Sequence, residues 1–259
     1  MKRVLGILLT VALSTFLAGC SIKFGVESRN TSKYAGQSIN QSESIEGVDN
    51  LNIDIEVSNV NILYYDGNDI EVSGTLGSSS KGVTINRNSN ELIINEKSNK
   101  SVNIGNSTVS ELEIKIPNSY TGDLKLALGV GECTINDVKA DNMEVKAGVG
   151  QLKMNNISFN SLELQSGVGE VDIETKEKTG NINIEGGVGD IYVKLGNING
   201  NLKFDGGMGS TRISIPPDSP VNIKTSSGLG ECNVSAKTSG ENKYIFDVSM
   251  GVGSLNITN

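Results

Sequence analysis

The feature that most constrains the fold is a Gly-apolar-Gly triplet, which recurs seven times in the second half of the chain. Successive copies begin 19, 19, 20, 20, 21 and 23 residues apart. A near-constant period of this length is typical of solenoid proteins, in which each repeat packs only against its neighbours. The triplets are Gly129–Gly131, Gly148–Gly150, Gly167–Gly169, Gly187–Gly189, Gly207–Gly209, Gly228–Gly230 and Gly251–Gly253.

Apolar and polar residues alternate on both sides of the triplets. Leu124 and Leu126 precede the first copy, and Cys133 and Ile135 follow it. Period-two alternation over short runs indicates β-strands, and glycine lets the chain turn where neighbouring backbones come close. One such unit cannot bury its apolar face alone, but units stacked about 4.8 Å apart form a continuous core. The sequence therefore predicts an all-β fold, a single-stranded parallel β-helix of 19–23-residue rungs with Gly-x-Gly corners.

The regularity of this pattern differs along the chain. Residues 119–259 carry the regular repeats, whereas residues 45–118 carry looser strand patterns. We expect irregular first rungs and a cap over 45–118, continuous with the regular stack, because terminal repeats are usually atypical. The copy at Gly228 departs from the rule, because its apolar pair, Val221 and Ile223, lies two residues farther upstream. We interpret that copy as a slipped or bulged rung.

The N-terminus has the pattern of an export signal. Lys2 and Arg3 precede an apolar stretch over residues 4–17. This stretch is shorter than the about 20 residues that span a bilayer, so it indicates a signal peptide over residues 1–19. Residues 17–20, Leu-Ala-Gly-Cys, resemble the bacterial lipobox, and the resemblance implies that Cys20 is lipidated and becomes the first mature residue. Residues 20–44 are rich in Ser, Asn and Gln and predict a flexible tether, so the expected location is the extracytoplasmic face of the cell membrane.

Charge and composition exclude several classes of function. The formal net charge is -8, and removal of Lys2 and Arg3 with the signal would make it -10. An acidic chain is a poor partner for nucleic acid, which binds clustered Lys and Arg, and for anionic lipid headgroups. The chain has no His, so it lacks the commonest general base and the commonest metal ligand at neutral pH. We expect no cofactor.

Residues 112–257 resemble large bacterial adhesin-like families of β-strand repeats. The resemblance is carried by a strand, Pro117 and a second strand over 112–126, followed by units that begin Gly-[Val/Met/Leu]-Gly. Residues 206–234 are also similar to the toast-rack family and to the C-terminal domain of cell-wall-active antibiotic-response proteins. The resemblance implies a β-helix at the cell envelope. It implies no catalytic residues.

The cysteines Cys133 and Cys232 follow their triplets at equivalent positions, in the column that also holds Leu152 and Leu255. Stacking in chain order would place them five rungs apart, about 24 Å at the usual spacing. A disulfide requires Cα atoms within about 7 Å. We therefore expect both to be small core residues, with a reactive or metal-binding thiol pair as the alternative.

Acidic residues follow four of the triplets. If the rungs stack in register, the four residues lie in one column. Such a column is compatible with two functional hypotheses: a row of calcium sites with oxygen ligands, or a glycoside hydrolase pair formed by Glu170 and Asp190. A solvated polar edge is the interpretation that we favour, because the repeat has the wrong period for a calcium-binding nonapeptide and no long loops enclose a cleft. The four candidates are Glu132, Glu170, Asp190 and Glu231.

The outward positions of the predicted strands mix both charge signs. One column holds Thr134, Lys153, Asp172, Tyr192, Arg212, Asn233 and Asn256, and another holds Lys125, Glu144, Glu163, Asn183, Lys203 and Asn222. We therefore expect a non-enzymatic, lipid-anchored surface scaffold that binds an envelope protein or a cell-wall polymer. By resemblance, it would take part in the response to cell-wall stress. A carbohydrate-active β-helix enzyme and a calcium-stabilised binding module remain the alternatives.

Overall fold

A computed structural model of the protein describes residues 35–99 and 108–259. These residues form an all-β, solenoid-like fold and contain no helix. The strands are β1 (Ser38–Ser44), β2 (Asn50–Tyr65), β3 (Asp69–Thr75), β4 (Ser80–Asn88), β5 (Glu91–Ser98), β6 (Ser110–Pro117), β7 (Asp123–Asn136), β8 (Lys139–Glu185), β9 (Val188–Leu195), β10 (Leu202–Ser214), β11 (Val221–Val234) and β12 (Tyr244–Thr258).

The Gly-apolar-Gly repeats pair with one another in parallel. Strands β2, β7, β8, β9 and β10 follow one another through the sheet, and each equivalent position lies beside the one before it. Val130 pairs with Val149, for example, and Glu170 pairs with Asp190. The alternating apolar side chains point inward, where Leu152, for example, is 1% exposed. The inward residues form one continuous hydrophobic core along the stack.

The corners need glycine for a steric reason. Gly150 has a φ of +144°, and a Cβ added there would lie 1.8 Å from the carbonyl oxygen of Gly131 in the preceding copy. Equivalent contacts recur through the stack, with 1.8 Å from Gly169 to Gly150. A side chain would therefore force neighbouring copies apart at the corner.

The last two strands do not stack in chain order. β12 pairs in parallel with β10 on one side and with β11 on the other. β11 therefore lies at the end of the sheet, although it precedes β12 in the sequence. The final strand, β12, thus lies between β10 and β11.

The predicted slipped or bulged rung at Gly228 is wrong. β11 pairs with β12 in one unbroken register, from Val221 beside Tyr244 to Val234 beside Ile257. The polar residues Thr225 and Ser227 occupy the positions that Val248 and Met250 occupy in β12. Polar residues are tolerated there because β11 is the end strand, and its inward positions from Thr225 onward are exposed to solvent.

The other end of the stack is built differently. One edge of β2 pairs with β7, whereas its other edge pairs with two separate strands, β5 and then β6. Beyond them the pairing becomes antiparallel, with β4 on β5, β3 on β6 and β1 on β3. These antiparallel strands, which include β1, make this end of the stack irregular.

Two predictions concern the N-terminal residues. The tether predicted for residues 20–44 ends too late, because residues 38–44 form β1 and pair with β3. Ile39 is the only apolar residue in β1, so hydrophobic alternation could not reveal the strand. The predicted signal peptide and lipidated Cys20 lie outside the described residues. Among the residues that the structure describes, no helix has the length and hydropathy needed to cross a membrane.

Candidate interaction surfaces

The middle residues of the seven triplets form a row of exposed apolar side chains, which we call the corner ridge. They account for seven of the ten large exposed hydrophobic residues in the described part of the chain. Each lies between two glycines that are held against the neighbouring copy, so the turn directs its side chain outward. The ridge consists of Val130 (48% exposed), Val149 (52%), Val168 (52%), Val188 (49%), Met208 (53%), Val252 (40%) and Leu229 (74%).

The ridge is continuous because its members pair directly. Val188 lies beside Val168 and Met208, and Val252 lies beside Met208 and Leu229. At the usual strand spacing, seven side chains span about 29 Å along the stack. A contiguous exposed apolar surface of this kind marks an interaction site more often than single exposed residues do.

The acidic column runs along one side of the ridge but is interrupted. Because β12 is inserted, Glu231 lies beside Ser254, which in turn lies beside Ser210. Glu170 and Asp190 are the one pair of carboxylates that occupies adjacent copies. Within residues 35–99 and 108–259, no group of three Cys, Asp or Glu side chains could hold a metal ion.

The polar groups of this column are used within the protein. Gln151 Nε2 donates a hydrogen bond to Glu170 Oε2 over 3.0 Å. The Asp190 carboxylate accepts one from the backbone N–H of Ser210 over 2.9 Å. Glu132 follows the first regular corner, and its backbone N–H donates to the side chain of Asn59. The side chains of Gln151, Glu170 and Asp190 are therefore hydrogen-bonded to neighbouring copies along this polar edge.

A shallow groove of about 670 Å³ crosses the outward face of the strand segments that precede the corners. The outward column that passes through it begins with Lys125, Glu144, Glu163, Asn183 and Lys203, as the sequence predicts. It continues with Asp247 and, beyond the groove, with Lys224. Asn222 is not part of this column, because it pairs with Ile245. The error follows from the assumed bulge and chain-order stacking.

Two carboxylates of this outward face, Glu144 and Asp205, pair with lysines. Lys146 donates to Glu144 over 2.7 Å, and Lys125 lies 3.5 Å away on the other side. The hydrogen bond from Lys146 and the nearby positive charges lower the pKa of Glu144. Hydrogen bonds from Ser249 and Lys203 likewise lower the pKa of Asp205. A general acid requires the opposite shift, so these carboxylates are unsuited to that role.

The second outward column follows the corners on the other arm of each rung. Arg212 lies over the ring of Tyr192, with its guanidinium carbon 5.7 Å from the ring centre. Their strands pair in register, and Arg212 also lies beside Asn256. Asn233 lies beyond Asn256, in the end strand. This face is therefore a mixed polar surface.

The two cysteines have different environments. Cys133 is buried in the core, as predicted, and burial raises the pKa of its thiol to about 12. Cys232 is exposed, so the prediction that it is a core residue is wrong. It does occupy the same column as Leu255. Within the described residues, however, no further strand covers that position.

One buried polar cluster at the first corner was not predicted. Glu96 is fully buried, and its carboxylate accepts hydrogen bonds from the backbone N–H groups of Glu56 and Val57 and from the hydroxyl of Ser110. Val57 pairs with Val130, so it is the corner residue of β2. In the regular stack, the neighbouring corner supplies backbone groups at this level. The Glu96 carboxylate takes the place of these backbone groups where the pairing between β5 and β2 ends.

A signal for this cluster exists in the sequence. Leu92, Ile94 and Glu96 alternate along β5, and all three side chains are buried. An acid at the third inward position of an apolar alternation requires a buried partner. The pattern could have identified the position, but not the two backbone N–H groups that it binds.

The comparisons with known proteins identify the class of the chain. The model of the Toastrack DUF4097 family matches residues 48–187 and 129–249. These matches together span well over half of the sequence, and the chain belongs to this family. The resemblance to toast-rack and adhesin-like repeats is thereby confirmed. No protein with a curated description matches the sequence.

Two solved structures illustrate the similarity. A "putative cell adhesion protein" from Clostridium sporogenes is 17% identical, with 86% of this chain and 99% of that chain covered and a TM-score of 0.44. A "putative adhesin" from Bacteroides fragilis is 16% identical, with 88% and 98% covered and a TM-score of 0.47. At these values the similarity gives no information about function.

Proposed function

We propose that this protein is a non-enzymatic, adhesin-like scaffold of the cell surface, built as a single-stranded parallel β-helix. Lipid on Cys20 holds it at the extracytoplasmic face of the membrane. Its corner ridge binds an envelope partner, either a protein or a cell-wall polymer.

The corner ridge is the observation that carries the proposal. Burial of half-exposed valines recovers about 1 kcal/mol per side chain, so several copies contribute together to affinity. Because the ridge is continuous and periodic, it fits an extended partner that lies along the stack. The paired carboxylates of the outward face give no support to a hydrolytic site.

The ridge is tested by replacing Val149, Val168 and Val188 together with Ser. The wild-type and variant chains are immobilised and exposed separately to purified cell wall and to detergent-solubilised membrane proteins. We expect capture from one of the two fractions to fall about tenfold or more in the variant, with its melting temperature little changed.

A matched variant examines the other arm of the rungs. Tyr192→Ala combined with Arg212→Ala removes the exposed cation–π pair and leaves the ridge intact. We expect a smaller reduction in capture, by less than about threefold. The proposal would be overturned if all three chains captured equal amounts, or if the wild-type chain captured nothing from either fraction.

The anchor has a separate test. Cys20→Ser should abolish incorporation of labelled fatty acid and release the protein from the membrane fraction, because lipidation requires the thiol. Retention of label in the variant would contradict the anchor without affecting the ridge.

A role in cell-wall stress rests on the similarity of residues 206–234 to cell-wall-active antibiotic-response proteins. It predicts that a strain lacking the protein is more sensitive to a wall-active antibiotic than to a ribosome-targeting one. Equal sensitivity to both would remove this part of the proposal.

A further inference from the structure

The end strand β11 presents an unpaired edge. Its one neighbour among the described strands is β12. Every residue from Lys224 to Val234 is exposed, whereas the core positions of β12 include Phe246 at 1% and Leu255 at 0%. An edge strand of 14 residues with free backbone groups is a template for a further strand.

The side chains at this end also leave the core uncovered. Ile223 and Thr225 continue the column of Phe246 and Val248, and Cys232 and Val234 continue that of Leu255 and Ile257. Val234 is 42% exposed, although its position is buried in the other copies. An additional strand with small and apolar inward residues would extend the core.

β11 is complementary to itself when it is paired antiparallel. Its first arm precedes the corner at Gly228–Gly230, and its second arm follows it. A two-fold axis through the corner, between Gly228 and Leu229, places Ile223 opposite Val234 of a second copy and Thr225 opposite Cys232 of that copy. Inward positions then meet inward positions on both arms.

The charges favour the same arrangement. The first arm carries one charged residue, Lys224, and the second arm carries one, Glu231. Antiparallel pairing places Lys224 of one copy diagonally across from Glu231 of the other, within the reach of a long side chain. The two-fold axis generates this pair of opposite charges twice.

The opposite end of the stack does not offer an equivalent surface. Its two outer strands are β1 and β4, which pair antiparallel with β3 and β5. Six of the seven residues of β1 are polar, and β4 carries Lys81 and Arg87. Short polar edge strands of this kind resist the addition of another strand. Pairing between β11 strands therefore produces a closed dimer and no longer filament.

We propose that two copies of this chain associate end to end through antiparallel pairing of β11 with β11, and that this pairing covers the open end of the core. The surface is distinct from the sides of the stack on which the proposed partner binding depends. The two proposals can therefore fail independently.

The register is tested by cross-linking in the full chain, purified in mild detergent. Thr225→Cys should form a disulfide with the native Cys232 of a second copy and run as a dimer on a non-reducing gel, because directly opposite strand residues satisfy disulfide geometry. Ser227→Cys tests the register two residues away. Ser226→Cys is the matched control, because that side chain points outward in the same strand.

Specificity is tested by exchanging the charges. Sedimentation of the full chain at micromolar concentration should show a dimer, which Lys224→Glu and Glu231→Lys should each weaken by about fivefold. The double variant should restore the dimer, which a folding defect could not do. A cross-link from Thr225→Cys without one from Ser226→Cys supports the pairing. A cross-link from Ser227→Cys in place of Thr225→Cys would mean a register two residues away and would contradict the proposed one.

Three results would overturn the proposal. One is a wild-type chain that is monomeric at these concentrations. A second is a dimer that is insensitive to the charge exchanges. The third is a monomer with a protected Cys232 thiol, which would mean that another segment of the same chain covers β11.

Discussion

At one end of the stack, β2 is followed by β5 and β6, whose inward residues are buried beneath the antiparallel strands β3 and β4. At the other end, β11 is followed by no described strand. Glu96 completes the hydrogen bonding of the first corner, whereas the corner at Leu229 is exposed. Both ends are built from the same kind of alternating strand, so the difference lies in what covers them.

The comparison shows that a repeat determines the interior of a stack but not its ends. An inward position is buried in every regular copy because each copy has two neighbours. At the ends one neighbour is missing, and the residue depends on what replaces it. At the first end the replacement includes a buried carboxylate, and at the second end the positions are small or polar.

The largest expected difference between the ends is in thiol reactivity. Cys133 and Cys232 occupy one column, but only Cys232 is exposed. At nanomolar concentration, where pairing between copies is absent, Cys232 should react with a maleimide at least about 1,000-fold faster, because Cys133 reacts only after local unfolding. The Cys232→Ser variant identifies the fast phase. Similar rates for both thiols would mean that the two positions are equally covered.

Truncation of an inward residue should be costly at the first end and inexpensive at the second. Ile94→Ala, in β5, removes a fully buried side chain and should lower the free energy of unfolding by about 4 kcal/mol. Val234→Ala, in β11, should cost less than about 1 kcal/mol because that side chain is 42% exposed. Urea titrations of both variants measure the difference, and equal losses would contradict it.

Removal of the buried carboxylate should have the next largest effect. Glu96→Ala leaves the backbone N–H groups of Glu56 and Val57 without their acceptor and should cost about 3 kcal/mol. Glu91→Ala, at the other end of β5, is the matched control and should cost less than about 0.5 kcal/mol. If the two variants unfold at the same urea concentration, the Glu96 carboxylate is not needed at the corner.

The smallest expected effect is the pH dependence that Glu56 contributes at the first end. Partial burial acts to raise the pKa of Glu56, but hydrogen bonds from Ser98 and the charge of Lys97 lower it below 4.5 overall. A lowered folded-state pKa stabilises the protein above 4.5, and this contribution disappears as the pH falls through the folded-state value. Because the group is well solvated, the contribution should be less than about 1 kcal/mol.

Glu56→Gln isolates this contribution. The variant should lose part of the decrease in stability that the wild-type chain shows between about pH 5 and pH 3. Identical pH profiles for the two proteins would show that the Glu56 interactions do not contribute.

The sequence was sufficient to predict the interior of the stack. Alternation around each triplet identified the buried positions of β7 to β10, because there the neighbours are other copies of the same pattern. It also identified the first and second outward columns up to Lys203 and Arg212. These predictions required only that successive copies pair in register.

The ends could not be predicted in the same way. Sequence spacing gives no information about whether β12 follows β11 at the end of the sheet or lies between β10 and β11, because both strands fit the same register. The error at Cys232 follows from assuming chain order, and the error at Asn222 follows from the bulge that was assumed before Gly228. β1 was missed because an edge strand with polar residues shows no hydrophobic alternation. The exposure of the corner ridge could not be predicted, because the sequence does not show in which direction the turn points the side chain between two glycines.

The central claim is that β12 is inserted between β10 and β11, and amide hydrogen exchange tests it most directly. In dilute solution, peptides from residues 244–258 should exchange far more slowly than peptides from residues 221–234, because β12 pairs on both edges and β11 on one. Faster exchange in 244–258 than in 221–234 would contradict the account and place the strands in chain order.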